Sequence, residues 1–269
     1  MVKQKFLIMK IVYSPGGQLC NKMWSFVHFV AQAFKQNEKV YFLNFGEYMH
    51  LFPNLREYKN IRFIKINNKY IHLLILNFCR LIKKISNSVI DGWQYRSDPK
   101  LLNEFFDKIQ NLFSPHLYVK QKCEKLITEL KNKGVVVVGI HIRRGDYAQF
   151  MNGVYYFEND IYIHYMKQIQ KAIAKEVCFF ISSAEQITFD DMDITYFQIP
   201  QANSIEDLYA LSLCDYILGP PSTFSMWASF YGKTPLKIVA HKNESIHLTD
   251  FKIITAIDTF QDGTVFSHV

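Results

Sequence analysis

The chain alternates strand-like and helix-like segments in an order that restricts it to few folds. Residues 5–13 are predicted to form a strand, with an apolar run broken by Lys10, that ends in the glycine-containing turn 14–17, and apolar positions then recur at helical spacing up to Phe34. A second apolar run, residues 40–45, completes the order of strand, turn, helix and strand. This order is typical of a βαβ unit, which builds a parallel sheet. The first part of the sequence therefore predicts an α/β fold.

The alternation restarts after a turn at residues 131–134, and residues 100–131 before it are predicted to be helical with a new start at Pro115. Strands are predicted over 135–142, 177–182, 194–199, 215–218 and 235–240, and helices over about 159–174, 204–213 and from 222 onward. We therefore predict two α/β domains, residues 1–133 and 134–269, with a cleft between them. Ligands bind in such clefts and at the carboxyl ends of parallel strands.

Composition limits the partners and the compartment. The 269 residues carry a formal net charge of +7, which favours anionic partners such as nucleotides. The lysines are spread through the chain and form no stripe, so we expect no nucleic-acid partner. Five widely spaced cysteines without a C-x-x-C motif indicate free thiols in a reducing, cytoplasmic compartment. No uncharged apolar run reaches about 18 residues, so we predict no membrane-spanning helix.

The segment 70–85, YIHLLILNFCRLIKKI, has two interpretations. Its apolar residues recur at helical spacing on one face, with asparagine, arginine and lysines mostly opposite. A core helix is the preferred interpretation. The alternative is a basic amphipathic helix that lies on the anionic inner face of the cell membrane.

Two adjacent arginines, Arg143 and Arg144, follow the predicted strand 135–142. They lie where a parallel sheet opens its ligand crevice, and guanidinium groups bind phosphate oxygens with paired hydrogen bonds. Neighbouring side chains at a strand end point to opposite sides, so one arginine can face a ligand and the other the protein. Gly145 permits a sharp turn, and Asp146 can pair with an arginine or accept a proton. The alternative is an ordinary surface ion pair.

Two further turns between strand and helix favour anions. Residues 14–21, SPGGQLCN, open the first helix, whose first N–H groups lack helical partners. Residues 219–227, GPPSTFSMW, follow a later strand, and Ser222 and Thr223 can cap the next helix. Each turn alone is equally well explained as an ordinary helix start. Three such turns together favour a nucleoside diphosphate over a single phosphate.

No metal-binding motif accompanies these turns. The Asp-x-Asp at residues 191–193 lies in a polar loop and is interpreted as solvated surface. We therefore expect no metal, and an arginine must then neutralise the negative charge of a departing diphosphate.

Five segments resemble patterns of the bacterial α-1,2-fucosyltransferases, glycosyltransferase family 11. The segments are HIRRGDY (141–147), GGQLCNKMW (16–24), GPPSTFSMW (219–227), FFISSAEQ (179–186) and EDLYALSLC (206–214). The first has every fixed residue of the family's H-x-R-R-G-D-Y motif, and all five keep the family's order along the chain. The resemblance implies a GT-B-like fold, GDP-fucose as the donor, no metal, and inversion at the anomeric carbon of fucose.

The resemblance also implies roles for individual residues. Arg143 and Arg144 would contact the β-phosphate, and His141 and Asp146 would shape the donor pocket, which makes Arg143, Arg144 and Asp146 the catalytic candidates. The other donor-binding candidates would line the facing N-terminal side or close on the diphosphate or fucose: Gly16, Gly17 and Asn21, and Ser222, Thr223 and Phe224. The N-terminal domain would take the acceptor, a galactose-containing glycan that can be lipid-linked, in the synthesis of surface polysaccharide or lipopolysaccharide.

The sequence departs from the family at three of these segments. The turn at 16–21 is one residue longer than the family's G-G-L-G-N, residues 182–185 lack two acids, and Pro221 replaces an asparagine. Two alternatives therefore stay open. The chain could use a different nucleotide sugar, or it could be a non-catalytic protein that binds a nucleotide or an acidic surface.

The reaction needs a group that takes the proton of the acceptor hydroxyl. The candidates are Asp146, Glu158, Asp160 and His28. A single histidine on a helix is more typical of packing, so His28 ranks last.

Overall fold

The structure, a computed structural model, describes residues 9–14, 16–84, 86–95, 97–259 and 265–266. The chain divides into two compact units. Unit 1 contains the residues up to His116 together with 255–266, and unit 2 contains Leu117–Ile254. Each unit has its own parallel sheet with helices packed on it.

Unit 1 consists of β1 (Lys10–Tyr13), α1 (Leu19–Gln36), β2 (Val40–Leu43), β3 (Ile61–Phe63), α2 (Lys69–Ile82), β4 (Val89–Asp91), α3 (Pro99–Glu104) and α4 (Phe106–Leu112). Its four strands form a parallel sheet in the order β3-β2-β1-β4. The predicted βαβ start is confirmed over residues 10–43; the part of the predicted first strand before residue 9 lies outside the described residues. A short antiparallel pair joins β10 (Asp258–Thr259) to β11 (Val265–Phe266).

An aromatic cluster forms the core of unit 1. Phe26 of α1 packs against Phe42 of β2 at 5.0 Å between ring centroids, and Phe42 stacks on Phe63 of β3 at 4.9 Å. Phe45 and Phe113 extend the cluster with edge-to-face contacts. Much of the unusual aromatic content of the chain is therefore used in packing.

Unit 2 is built on a five-stranded parallel sheet in the order β7-β6-β5-β8-β9. Its elements are α5 (Leu117–Asn132), β5 (Val136–His141), α6 (Asn159–Ala172), β6 (Val177–Ser182), β7 (Tyr196–Phe197), α7 (Ser204–Leu213), β8 (Tyr216–Gly219), α8 (Thr223–Gly232) and β9 (Leu236–Ile238). Strand β5 lies at the centre of the sheet and pairs with β6 from Val136↔Val177 to His141↔Ser182. Both strands are apolar up to their last residues, His141 and Ser182, and almost fully buried, as expected for a parallel sheet covered on both faces.

The predicted α/β class, with two Rossmann-like units, is confirmed, and the predicted helix start near Pro115 is confirmed by α5. The unit boundary precedes α5 instead of following it at residue 133. Helix α5 packs on α7 of unit 2, where the Lys122 ammonium lies 2.8 Å from the Glu206 carboxylate and the Tyr209 hydroxyl donates to Glu124 at 2.6 Å. All five cysteines are buried free thiols.

The preferred interpretation of residues 70–85 as a core helix is wrong. Helix α2 forms over Lys69–Ile82, but its buried residues are Leu76 and Cys79, and most of its large apolar side chains are exposed. Helical spacing identified the helix but not the face that the sheet covers. No helix in the described part of the chain is both long and apolar enough to cross a bilayer.

Candidate functional site

His141 is the last residue of the central strand β5 and lies at the carboxyl edge of the unit 2 sheet. Its ring is buried, and its centroid lies 5.1 Å from that of Phe224 in α8. Burial, reinforced by Arg143, lowers the pKa of His141 to about 3, so the ring is neutral at physiological pH. Within the described structure its Nδ1 is buried without a hydrogen-bond partner, which is unusual for a native polar group.

Gly219, the last residue of β8, allows the close packing beside His141. A Cβ at position 219 would lie 2.9 Å from the His141 Cβ and 3.0 Å from its carbonyl oxygen. A side chain at this position therefore requires the two neighbouring strand ends to separate. The glycine that opens the GPPSTF segment is thus explained by packing at the edge of the sheet.

Arg143 is held over the turn that follows β5. Its Nη2 lies 2.8 Å from Asp146 Oδ2, and its guanidinium carbon lies 5.3 Å from the centroid of the Tyr147 ring. Gly145 has φ +61°, so the predicted sharp turn is present in the left-handed region that favours glycine. The Tyr147 hydroxyl donates to the Pro221 carbonyl oxygen at 2.7 Å, which fixes this turn to the loop after β8.

Arg144 points to different neighbours. Its Nη2 donates to Asn159 Oδ1 at the start of α6, and its Nη1 lies 3.8 Å from Glu185 Oε2 in the loop after β6. The Asn159 amide in turn donates to the Thr188 carbonyl oxygen at 3.0 Å. The two arginines therefore lie on different sides of the strand end, as the alternation of side chains predicts.

Both arginines have a carboxylate neighbour, and both carboxylates are largely solvated. The Asp146 and Glu185 side chains are 61% and 52% exposed, whereas both arginine side chains are mostly buried. Ion pairs with solvated carboxylates contribute little, because water screens the attraction. The predicted surface ion pair is therefore present at Arg143. Both guanidinium groups are held in place, and a more highly charged anion can displace the carboxylates beside them.

The hydroxyl-rich turn after β8 starts helix α8 as predicted. The Ser222 hydroxyl accepts a hydrogen bond from the Phe224 N–H at 3.3 Å and so caps the helix. Ser222 is buried, and Thr223 and Phe224 are partly exposed. The contacts of Tyr147 with Pro221 and of His141 with Phe224 bring this turn to the end of β5.

Asp207, in the first turn of α7, is a buried acid to which the sequence analysis assigned no role. Its carboxylate accepts a hydrogen bond from the Ser182 hydroxyl at 3.2 Å, and Ser182 is the β6 partner of His141. Burial raises the pKa of Asp207 to about 7. An acid in a first helical turn usually caps the helix, but here Asn203 and Glu206 form the capping box. The sequence feature that could have indicated the burial of Asp207 is the apolar sequence around it, because α7 is buried over residues 205–212.

The N-terminal candidates Gly16, Gly17 and Asn21 lie together in unit 1, between β1 and the first turn of α1. Gly17 has φ +84°, and a Cβ there would lie 2.6 Å from the Asn21 Cβ. Gly17 is therefore explained by a left-handed turn closely packed on Asn21, whereas a Cβ at Gly16 would meet no atom within 4 Å. The Ser14 hydroxyl donates to the Gly16 carbonyl oxygen at 3.1 Å and stabilises the turn.

A polar pocket of about 240 Å³ lies at the same carboxyl edge of the unit 1 sheet. It is lined by Asn44, Gly46, Glu47, Ile64, Lys65, Ile66, Asn67 and His72. The Lys22 ammonium donates to Asn44 Oδ1 at 3.2 Å and forms an ion pair with Glu47. The Asn44 amide donates to the Ser14 carbonyl oxygen at 2.7 Å, so the glycine turn and the pocket share one hydrogen-bond network. This pocket was not predicted from the sequence, because its lining residues form no recognisable motif.

The other acid–base candidates lie in different settings. Glu158 is exposed just before α6, and the Asp160 carboxylate accepts the Ile161 N–H at 2.9 Å. His28 of unit 1 accepts the Asp98 N–H at Nδ1, and its Nε2 lies 2.8 Å from the Gln32 amide nitrogen. Its ring also lies 4.8 Å from that of Tyr95, so His28 is a packing residue.

The Asp-x-Asp loop agrees only in part with its interpretation as solvated surface, since Asp193 is exposed but the Asp191 side chain is 15% exposed. Asp191 pairs with Lys167 at 2.6 Å and accepts the Asp193 N–H at 3.1 Å. Among the described residues, no group of three His, Cys, Asp or Glu side chains is placed to hold a metal ion.

Comparison with known proteins links this arrangement to a family. The sequence profile of Glycosyl transferase family 11 matches residues 3–252. No curated protein sequence matches the chain at a significant level.

Similar solved structures share the fold at low sequence identity. Fucosyltransferase NodZ from Bradyrhizobium is 13% identical with a TM-score of 0.53, over 86% of this chain and 95% of that one. A mutant of Arabidopsis thaliana FUT1 in complex with GDP is 13% identical with a TM-score of 0.55, over 95% and 75% of the two chains. POFUT1 in complex with GDP-fucose is 11% identical with a TM-score of 0.56, over 89% and 96%.

Proposed function

The chain belongs to glycosyl transferase family 11, and we propose that it transfers L-fucose from GDP-fucose to a hydroxyl group of a glycan. The proposed linkage is α-1,2 to galactose, and the proposed setting is the synthesis of surface polysaccharide or lipopolysaccharide. Structures of similar fold, NodZ soaked with GDP-fucose and POFUT1 in complex with GDP-fucose, support this donor. The five buried free thiols support a cytoplasmic location.

The observation that carries the proposal is the pair of fixed guanidinium groups at the carboxyl end of β5. Arg143 and Arg144 are mostly buried, held on different sides of the strand end, and next to carboxylates that are more than half exposed. A diphosphate carries more charge than one carboxylate, so it competes well for both arginines. His141 beside them is neutral and so adds no charge, and its buried Nδ1 has no hydrogen-bond partner among the described residues.

In the proposed reaction, an acceptor hydroxyl oxygen forms a bond to C1 of fucose while the bond from C1 to the β-phosphate oxygen breaks. The configuration at C1 is inverted, and GDP leaves with the bonding electron pair. The arginines stabilise the negative charge that grows on the β-phosphate. The hydroxyl proton passes to a carboxylate, and Asp146 is the proposed acceptor because it is solvated and close to Arg143.

The proposed acceptor site is the polar pocket of unit 1. Its carboxylate, amide, ammonium and imidazole groups suit the hydroxyl groups of a sugar. It lies at the carboxyl edge of a parallel sheet, where ligands of α/β units bind.

The test is a transfer assay with purified protein, GDP-fucose and a panel of galactose-terminated sugars, with products read by mass spectrometry. The wild type is expected to add one fucose to at least one of them. Arg143→Ala and Arg144→Ala are each expected to lower kcat on the order of 10²–10³-fold, which is typical of losing one electrostatic donor. EDTA is expected to leave the rate unchanged.

The matched control is Arg62→Ala. Arg62 is a half-buried arginine on β3 of unit 1 that donates to the Tyr58 carbonyl oxygen at 3.4 Å. This variant is expected to keep the wild-type rate. Near-normal rates in both site variants would contradict the mechanism, and a preference for a UDP- or TDP-sugar would replace the proposed donor.

A further inference from the structure

Helix α2 of unit 1 presents a row of large apolar side chains to solvent. Tyr70, Ile71, Leu73, Leu74, Phe78 and Leu81 are each between 49% and 77% exposed. An exposed leucine alone needs no explanation, but a contiguous apolar patch marks an interaction surface. The patch does not belong to the candidate donor site, which lies in unit 2.

The geometry of the helix separates the exposed face from the anchoring face. At about 100° per residue, Tyr70, Leu74 and Leu81 lie within roughly 40° of one another, and Phe78 and Ile71 extend this arc to about 100°. Leu76 and Cys79 lie on the other side and pack with Tyr13 and Leu43 of the sheet. The helix is therefore held to unit 1 by one narrow face while its broad apolar face is uncovered.

Positive charge flanks the apolar arc. The segment 58–90 contains seven lysines and arginines and no aspartate or glutamate. Within it, Lys69, Arg80 and Lys84 are exposed; Lys69 and Arg80 lie on one side of the arc at helical spacing, and Lys84 follows the end of the helix. Such a surface is complementary to a partner that has an anionic outer layer over an apolar interior.

We propose that α2 binds the surface of an anionic lipid bilayer, with its apolar arc inserted at the level of the headgroups and Lys69, Arg80 and Lys84 at the lipid phosphates. A second copy of the chain is a poorer occupant, because it would bring two basic segments of the same sign together. The proposal does not depend on the identity of the transferred sugar.

The experiment is flotation of the full chain with vesicles of phosphatidylcholine alone and with vesicles containing 30% phosphatidylglycerol. The protein is expected to float with the anionic vesicles only, and less as salt is raised, because ions screen the attraction. Leu74→Asn with Phe78→Asn is expected to weaken binding more than tenfold by removing the inserted apolar groups. Lys69→Gln with Arg80→Gln and Lys84→Gln is expected to weaken it about fivefold per charge.

Matched controls come from unit 2. Leu117→Asn with Tyr118→Asn removes two equally exposed apolar side chains, and Lys125→Gln with Lys133→Gln and Lys175→Gln removes three exposed lysines. Both controls are expected to float like the wild type. Folding of every variant is checked by thermal melting.

Three outcomes would overturn the proposal. The first is that the wild type fails to float with anionic vesicles, and the second is that the α2 variants float as well as the controls. The third is that the wild type does not bind lipid but forms a dimer, seen by light scattering, that becomes monomeric in the Leu74→Asn, Phe78→Asn variant. Transfer of sugar to a soluble acceptor is measured in parallel. This variant is expected to keep the wild-type rate there, so failure of membrane binding is distinguished from failure of the proposed reaction.

Discussion

The carboxyl edges of the two sheets are built in different ways. In unit 2 the edge residues come from two short segments, 141–147 and 219–224, that follow the neighbouring strands β5 and β8. In unit 1 the pocket is assembled from the loop after β2, the consecutive residues 64–67 after β3, and His72 in the first turn of α2. The unit 2 edge is tightly packed around His141, whereas the unit 1 edge is open and polar. The unit 2 segments carry charged and hydroxyl-rich patterns that stand out in the sequence, whereas the unit 1 loops carry no such pattern.

The largest expected effect tests whether the unit 2 edge contains a buried neutral acid. Because burial raises the pKa of Asp207 from an ordinary 3.8 to about 7, the folded state holds this proton more tightly than the unfolded state. The contribution of Asp207 to stability is therefore unchanged below about pH 4, falls as the pH rises toward 7, and is lowest above 7. Asp207→Asn removes this loss. The free energy of unfolding of the variant is therefore expected to exceed that of the wild type by up to about 4 kcal/mol at pH 8.

The measurement for Asp207 is urea unfolding of both proteins at pH 5 and pH 8. The advantage of the variant is expected to be clearly smaller at pH 5. Asp107→Asn, which neutralises an exposed carboxylate in the first turn of α4, gives the baseline. A difference between wild type and Asp207→Asn that is the same at both pH values would show that the acid is not held neutral.

The second prediction compares one glycine from each edge. Gly219→Ala forces a Cβ against His141 and is expected to lower the free energy of unfolding by about 1–3 kcal/mol, the usual cost of overpacking. Gly16→Ala meets no atom within 4 Å and is expected to change it by no more than about 0.5 kcal/mol. Denaturant unfolding of the two variants and the wild type measures the change in the free energy of unfolding for each substitution. Equal losses would mean that the two edges are packed alike.

The smallest effect tests whether the open edge of unit 1 takes the acceptor. Glu47→Gln removes a charged hydrogen-bond acceptor from the pocket wall and is expected to raise the KM for the acceptor sugar about fivefold with little change in kcat. Glu104→Gln is the matched control, since both glutamate side chains are 50% exposed and both pair with a lysine. A KM that moves equally in both variants, or in neither, would remove the pocket from the acceptor site.

The sequence predicted those parts of the molecule in which the local apolar pattern alone determines the element and its place in the sheet. The strand 177–182 and the helix 204–213 form at the predicted residues, because both are apolar runs bounded by turn and cap residues. The two arginines and the Ser222 cap were also predicted, since each follows a strand directly. These features require only the rule that parallel strands present their carboxyl ends at one edge.

The features that the sequence did not predict depend on tertiary packing. Periodicity located α2, but the covering of one helix face is decided by the short strands of unit 1 and not by the helix itself. The raised pKa of Asp207 requires the burial of all of α7, and the contact of Glu185 with Arg144 requires the loop after β6 to fold back. The packing of α5 with unit 2 rather than unit 1 likewise depends on its long-range contacts with Glu206 and Tyr209.

His72 lines the polar pocket and is also a residue of the first turn of α2. If α2 lies on a bilayer, this shared residue, on the side of the helix away from the apolar arc, places the pocket one helix diameter, roughly 10 Å, from the lipid surface. A glycan carried on a lipid would then reach the pocket by diffusion in two dimensions, and its effective concentration would be set by its density in the leaflet and not by its amount in the cell. A free sugar in bulk water would lack this advantage, so the position of one histidine would let the protein distinguish substrates by where they reside.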